Sequence, residues 1–265
     1  MRIKDFSTIK TKSGKLSFAD QIKGSFQYGF SWPADIAAQE DFISILEKDA
    51  DQRFSLLRNY PLKEVDVRVP LILIGPPGVL VISFCRKRGL YRARENQWLE
   101  MSGKKFKPAK ENLIRRTQLY ARAVQKVLQE IGHPDVNVDG LLAGMHPGIT
   151  IDSQNPAVRA LQLDALRYWS TRFTQEPPAL SSEKIYQIVA DLIELATKDE
   201  KAETEQEAAR QKAAHPPKPD KVKQALAPVE KRLNFTTKQW AILGLLMFGI
   251  VAVLSIFILF IYLSY

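Results

Sequence analysis

The sequence predicts an α/β domain followed by a membrane-spanning helix, on three observations. Segments with helical spacing alternate with short runs rich in Val, Ile and Leu; the two most apolar runs meet at Gly75-Pro76-Pro77-Gly78; and Trp240 to Leu263 forms 24 residues without a charge. A chain of 265 residues, 45% of them hydrophobic, has enough apolar surface to bury a core. Its one cysteine, Cys85, excludes a disulfide scaffold and a Cys-built zinc site. Three scattered histidines, His133, His146 and His215, lack metal-ligand spacing, so metalloprotease-type chemistry is off the list.

Residues 1–32 are basic and short of apolar periodicity, with Lys10, Lys12, Lys15 and Lys23 among Ser, Thr and Gly; they are expected to form a poorly ordered arm. The α/β domain is expected over 33–173. Pro33 suits a first helical turn, and Ala37, Phe42, Ile45 and Leu46 recur at helical spacing, predicting a helix over 33–49. Extended runs follow at 54–58, 65–74 and 79–85. The last two form a buried hairpin, because the prolines fix φ and the glycines relieve steric limits at the turn between them. Two more polar strands, 90–94 and 97–101, straddle Glu95-Asn96. Over 108–131, Leu113, Ile114, Thr117, Ala121, Val124 and Leu128 share one face, and Gly132 and Pro134 end this amphipathic helix. A strand at 138–143, a loop through Pro147, Gly148 and Pro156, a strand near 158–163 and a helix near 164–173 complete the domain, with an additional helix at 174–197 beginning near Ser182.

Residues 198–239 read as a charged tether. Lys198 to Ala214 has no large apolar residue, so it is expected to be solvated and intermittently helical. Between Arg210 and Lys238 there are eight Lys or Arg against Asp220 and Glu230, a local charge near +6. Residues 240–263 are long enough at about 1.5 Å per residue to cross a roughly 30 Å hydrocarbon core, so the lipid bilayer is the expected partner of Trp240 to Leu263. Lys231, Arg232 and Lys238 flank one side of the span, which the positive-inside rule makes cytoplasmic. The opening residues lack the apolar core of a signal peptide, so the expected location is a single-pass, C-terminally anchored membrane protein with its N-terminal domain in the cytoplasm.

The run from Pro70 to Ile82, with its GP-x-GV turn and flanking strands, resembles the core of the NERD (nuclease-related) domain. The resemblance extends back to Ala38-Gln39-Glu40, forward to Tyr120-Ala121-Arg122-Ala123-Val124, and covers roughly residues 33–173. It implies a restriction-endonuclease-like core of the PD-(D/E)xK type, a central mixed sheet flanked by helices. Such enzymes place an Asp on one strand and an ExK pair on the next; the carboxylates hold Mg²⁺, the metal stabilises the attacking and leaving oxygens, and the lysine assists the nucleophile.

Aligned on the Gly-Pro turn, the family's Asp, Glu and Lys positions are occupied by Pro70, Ser83 and Cys85, so no catalytic or metal-binding residue is carried over. Arg116 stands where the family's helical Gln is expected. Asp66 shares the strand face of Pro70 but lies about 13 Å back at roughly 3.3 Å per residue, and no carboxylate occurs between Asp66 and Glu95. Glu40 reads either as the remnant of the family's first acidic position or as a solvent-facing helix residue. The expectation is a catalytically degenerate domain with no cofactor, acting in binding or scaffolding. The alternative is an active Mg²⁺-dependent nuclease with carboxylates relocated to Glu40, Glu64, Asp66 or Glu95.

Residues 86–110 hold nine Lys or Arg against Glu95 and Glu100, with Tyr91, Trp98 and Phe106 interleaved. A phosphate backbone would engage such a string through charge, and aromatics could stack on bases. Arg86, Lys87, Arg88, Lys104, Lys105, Lys107 and Arg115 are the candidate phosphate-binding residues, with nucleic acid or anionic lipid headgroups as partners. A solvated edge hairpin gives the same string.

Overall fold

The computed structural model describes residues 1–7, 32–62 and 67–214. Two units are distinguished, Met1–Glu203 and Thr204–Tyr265; the fold below is that of the first. Helix α1 (Trp32–Leu46) precedes β2 (Ser55–Leu62), β3 (Val67–Gly75) and β4 (Gly78–Cys85), with β1 (Arg2–Asp5) ahead of them all. Then come β5 (Gly89–Glu95), β6 (Gln97–Ser102), β7 (Lys105–Pro108) and α2 (Leu113–Glu130). The remaining elements are β8 (Val138–Gly144), β9 (Ile149–Pro156), β10 (Arg159–Gln162), α3 (Leu163–Thr174) and α4 (Ser182–Ala214).

The strands make two sheets. A six-stranded mixed sheet has the order β1-β2-β3-β4-β8-β10, and a four-stranded sheet has the order β7-β6-β5-β9. In the large sheet β2, β3 and β4 form an antiparallel meander, and α2 carries the chain over to β8, which lies parallel to β4. This is the mixed α/β architecture with flanking helices that the sequence implies. The turn closes with Gly75 paired to Gly78, which sits at φ +139°; a Cβ on Gly75 would lie 2.2 Å from the Phe54 ring. That ring is why the position must stay without a side chain.

Strand alternation divides the apolar residues between two cores. Leu71, Leu73, Leu80, Ile82 and Phe84 face α1 and α3, meeting Phe42, Leu46, Trp169 and Phe173. Ile72, Ile74, Val79 and Val81 face α2 and α4, meeting Val124, Leu128, Ile188 and Leu192. Each such side chain contributes about 1.5–3 kcal/mol by leaving water. The six residues expected on the inner face of α2 are the six it buries. On α1 the buried residues are Ile36, Ala38, Gln39, Phe42, Ile43, Ile45 and Leu46, while Ala37 is exposed.

Several expected boundaries move. Residues 2–5, placed in an arm of little order, pair with β2 in parallel from Arg2–Ser55 to Asp5–Arg58. Three of the four residues are exposed, so the strand is held by backbone bonds and leaves no apolar pattern to read. The expected loop through Pro147, Gly148 and Pro156 contains β9, which lies parallel to β5 along the edge of the small sheet. The helix expected from 108 begins at Leu113, because Asn112 caps it by accepting the Arg115 amide at 3.0 Å and Pro108 belongs to β7. Helix α4 continues to Ala214, through the stretch expected to be intermittently helical. No helix among the described residues is long and apolar enough to cross a membrane; the span expected over Trp240 to Leu263, like the tether over 215–239, lies outside the described residues.

Candidate functional site

The positions where the nuclease residues would stand lie at the ends of β3 and β4 away from their turn. Leu71 and Ile82 are the last pair of that hairpin, and Pro70 and Ser83 come next on either side. Pro70 has no N–H to give a ladder, and the β2–β3 pairing likewise passes from Arg58–Leu71 to Tyr60–Val69 without it. Opposite the gap, Asn59 adopts φ +52°. Ser83 and Cys85 share a strand face, Ser83 fully buried and Cys85 3% exposed. The Ser83 Oγ has no hydrogen-bond partner among the described residues. Burial pushes the Cys85 thiol above its ordinary value, against the backbone N–H of Lys87 and the charges of Lys87, Arg116 and Arg86, so the sulfur is held neutral.

Beside Cys85 opens a cleft of about 370 Å³ between the end of β4, the small sheet and the start of α2. Its apolar wall includes Phe84, Tyr91, Trp98 and Leu113. Tyr91 and Trp98 stack on each other with ring centres 4.8 Å apart, and both are 2% exposed. Burial first, then the charges of Cys85 and Glu100, push the Tyr91 hydroxyl up to about 12. The polar wall carries Arg86, Lys87, Lys110 and Arg116 with Asp35, Glu100 and Glu111. Arg86 is bound to Asp35 at 2.7 Å, and Arg116 to Glu111 through its NH1.

The expected phosphate-binding residues are carried by several elements. Arg86 and Lys87 line the cleft. Lys105 and Lys107 lie on β7 opposite Ser102 and Glu100, which puts Lys107 on the strand face that Glu100 and Tyr91 present to the cleft. Lys104 sits in the exposed turn before them, and Arg88 is exposed just after Lys87. Arg115 is exposed on α2, with its neighbour Arg116 turned to the cleft instead. The arginines of the small sheet are already engaged: Arg92 holds Asp152 at 2.7 Å and covers the Phe106 ring at 4.0 Å, and Arg94 lies 3.8 Å from Glu95. With Tyr91 and Trp98 buried on each other and Phe106 under Arg92, the expected aromatic stacking surface for bases is taken up inside the protein.

Of the candidate relocated carboxylates, the two that are described stand on different elements. Glu40 is ion-paired with Arg58 on the α1 face, and Glu95 is exposed at φ +49° in the β5–β6 turn. Glu64 and Asp66 lie outside the described residues. Among the described residues, no group of three or more His, Cys, Asp or Glu side chains could hold a metal ion. Among the described residues of the cleft, Asp35 and Glu111 are each held by an arginine, an arrangement that fits a Mg²⁺ ion poorly, since such an ion needs carboxylate oxygens gathered at one point.

A polar centre that the sequence reading missed lies under α1. Arg58, 5% exposed, donates to Gln39 Oε1 at 2.5 Å and to the carboxylate of Glu40, with Asp5 3.7 Å away. Gln39 donates in turn to Asn59 Oδ1 at 2.9 Å, and Asn59 donates to Ser7 Oγ at 2.7 Å. The signal was present: an arginine within the apolar β2 run, facing a helix that carries Gln39-Glu40.

Residues 34–144 match the family model of the nuclease-related domain, NERD. The matched segment runs from α1 through β8, the helix, meander, small-sheet strands and crossover that build this cleft. No curated protein and no solved structure matches the chain.

Proposed function

From the nuclease-related domain at residues 34–144 we propose that this chain is a membrane-anchored binding module that holds nucleic acid by its phosphate backbone and does not cut it. The observation that carries the reading is that neutral residues, Pro70, Ser83 and Cys85, stand where the resemblance expects Asp, Glu and Lys, beside exposed lysines. Lys87, Lys104, Lys105, Lys107 and Lys110 are exposed, and no ion pair engages them among the described residues. Point charges on flexible stems suit phosphates in many geometries and carry no base readout, so the expected binding is weakly sequence-dependent and steeply salt-dependent. Anchorage rests on the uncharged Trp240–Leu263 run and the basic residues before it.

The test uses the full chain in detergent with DNA and RNA, with Mg²⁺, with Mn²⁺ and with EDTA. Binding is expected in all three, without cleavage. Reversing Lys104, Lys105 and Lys107 to Glu is expected to lower affinity and reduce the slope of log K against log salt by about 3, near one unit per phosphate contact. EDTA-sensitive cleavage abolished by Glu40→Gln or Asp66→Asn would overturn the reading in favour of the relocated-carboxylate nuclease. Binding to anionic vesicles but not to nucleic acid would replace the ligand by lipid headgroups. Deleting 240–265 is expected to release the protein from membranes in alkaline carbonate, and a wild-type chain already released by that treatment would remove the anchor.

A further inference from the structure

The cleft opens beside Cys85, which stands where the resemblance expects the family's lysine, and its lining holds four cations and three carboxylates. Of its four cations, Arg86 and Arg116 are balanced by Asp35 and Glu111, while Lys87 and Lys110 have no ion pair among the described residues. Glu100, the third acid of the lining, accepts from the Tyr91 hydroxyl at 3.4 Å and lies cross-strand from Lys107. One further donor is unused: the Arg116 Nε is buried and has no hydrogen-bond partner among the described residues. A buried guanidinium N–H without an acceptor is destabilising, so a ligand oxygen brought to it gains a charge-assisted contact.

We propose that this cleft binds a phosphate monoester directly, its oxygens taken by Lys87, Lys110 and the Arg116 Nε–H, with no bridging metal. A dianionic terminal phosphate offers Lys87 and Lys110, which have no ion pair among the described residues, more charge to meet than a phosphodiester does, in a lining whose third carboxylate, Glu100, is bonded to Tyr91. The neutral Cys85 thiol at the floor adds no repulsion, as an ionised sulfur would. The Arg116–Glu111 pair does not compete, because it is made through one terminal nitrogen, Nη1, of the guanidinium. This assignment deepens the nucleic-acid reading: it makes a 5′-phosphorylated end, rather than the backbone alone, the group seated in the cleft. Ser83 takes no part, since it lies two residues deeper on β4, about 7 Å along the strand, and is sealed from the cleft.

The experiment uses the full chain in detergent, in EDTA, with three probes: inorganic phosphate, a 5′-phosphorylated oligonucleotide and the same oligonucleotide with a 5′-hydroxyl. Saturable ³¹P line broadening of inorganic phosphate is expected, together with at least about fivefold tighter binding of the 5′-phosphorylated strand at fixed salt. Lys87→Ala with Lys110→Ala, both exposed positions, is expected to abolish the broadening and bring the affinity ratio to one. Arg116→Lys, which keeps the charge and removes the Nε–H, is expected to reduce the ratio. Equal affinity for the two strands, a ratio unchanged in the double variant, or phosphate binding only when Mg²⁺ is added would each overturn the proposal. Phosphate bound and lost in the double variant, with neither oligonucleotide bound, would leave this site standing while removing nucleic acid as its partner.

Discussion

Two polar centres flank the meander, and they are built on opposite principles. Under α1, Arg58, Gln39, Glu40, Asn59, Ser7 and Asp5 form a connected network in which a nearly buried guanidinium meets two carboxylates and an amide. Beside the end of β4, Arg116 Nε is buried without a partner among the described residues, as is Ser83 Oγ deeper in the strand and away from the cleft, and Lys87 and Lys110 have no ion pair among the described residues. The first centre is complete within the protein. The second is not, and unsatisfied donors beside an open cleft are the ordinary mark of a place built for something else to occupy. Glu40 links the two: the acidic residue on α1 that the family resemblance singled out is ion-paired with Arg58 in the first centre and plays no part in the second.

The sharpest way to break this contrast is Arg58→Ala. Truncating one partner of a buried charge network costs about 3–5 kcal/mol, and the lower end is expected because Glu40 and Asp5 keep about a quarter of their side-chain surface in water. Urea denaturation measures it, and amide exchange should report the loss first at Arg2–Asp5, whose strand the network ties to β2 and α1. A loss under about 1 kcal/mol would mean that the centre is decoration on an already stable sheet.

Alkali should act on the other centre. The Cys85 thiol and the Tyr91 hydroxyl are both raised in the folded state, so their contribution to stability is complete below their ordinary values and is lost as pH rises through the raised ones. Stability is expected to decline from about pH 9, where the unfolded thiol ionises, towards pH 12, where the Tyr91 hydroxyl does so in the fold. Cys85→Ala should flatten the early part of that decline. A midpoint in urea that is level between pH 8 and pH 11 would show that neither group resists ionisation. Slow alkylation of Cys85 at pH 8 checks the same burial independently.

How legible each centre was follows from what periodicity measures. The apolar meander and the six-residue face of α2 were readable because burial there is a matter of side-chain spacing. Strands β1, β7 and β9 were not, because they lie at or near the edges of their sheets with mostly polar or exposed residues and are held by backbone bonds that spacing does not encode. The replacement of the family's Asp, Glu and Lys by Pro70, Ser83 and Cys85 was readable by aligning the turn. That Arg86 and Arg92 are ion-paired, while the lysines of the same string have no ion pair among the described residues, was beyond a one-dimensional charge string, because the partners Asp35 and Asp152 come from α1 and β9, distant in sequence. The buried stacking of Tyr91 on Trp98 was hidden for the same reason, since a strand's inward face is known only when the sheet it covers is known.

The smallest expected effect separates a vacant donor from a structural one. Ser83→Ala removes a hydroxyl that is fully buried and makes no hydrogen bond among the described residues, so stability should stay within about 0.5 kcal/mol or rise by up to about 1 kcal/mol. Thr117→Val is its control on the facing helix, for Thr117 is equally buried but donates to the Leu113 carbonyl at 2.8 Å. That substitution should cost about 0.5–1.5 kcal/mol, the net value of an intramolecular hydrogen bond. If Ser83→Ala costs as much as Thr117→Val, the Ser83 hydroxyl has an acceptor in solution, and the unsatisfied character of the β4 centre shrinks to Arg116 alone.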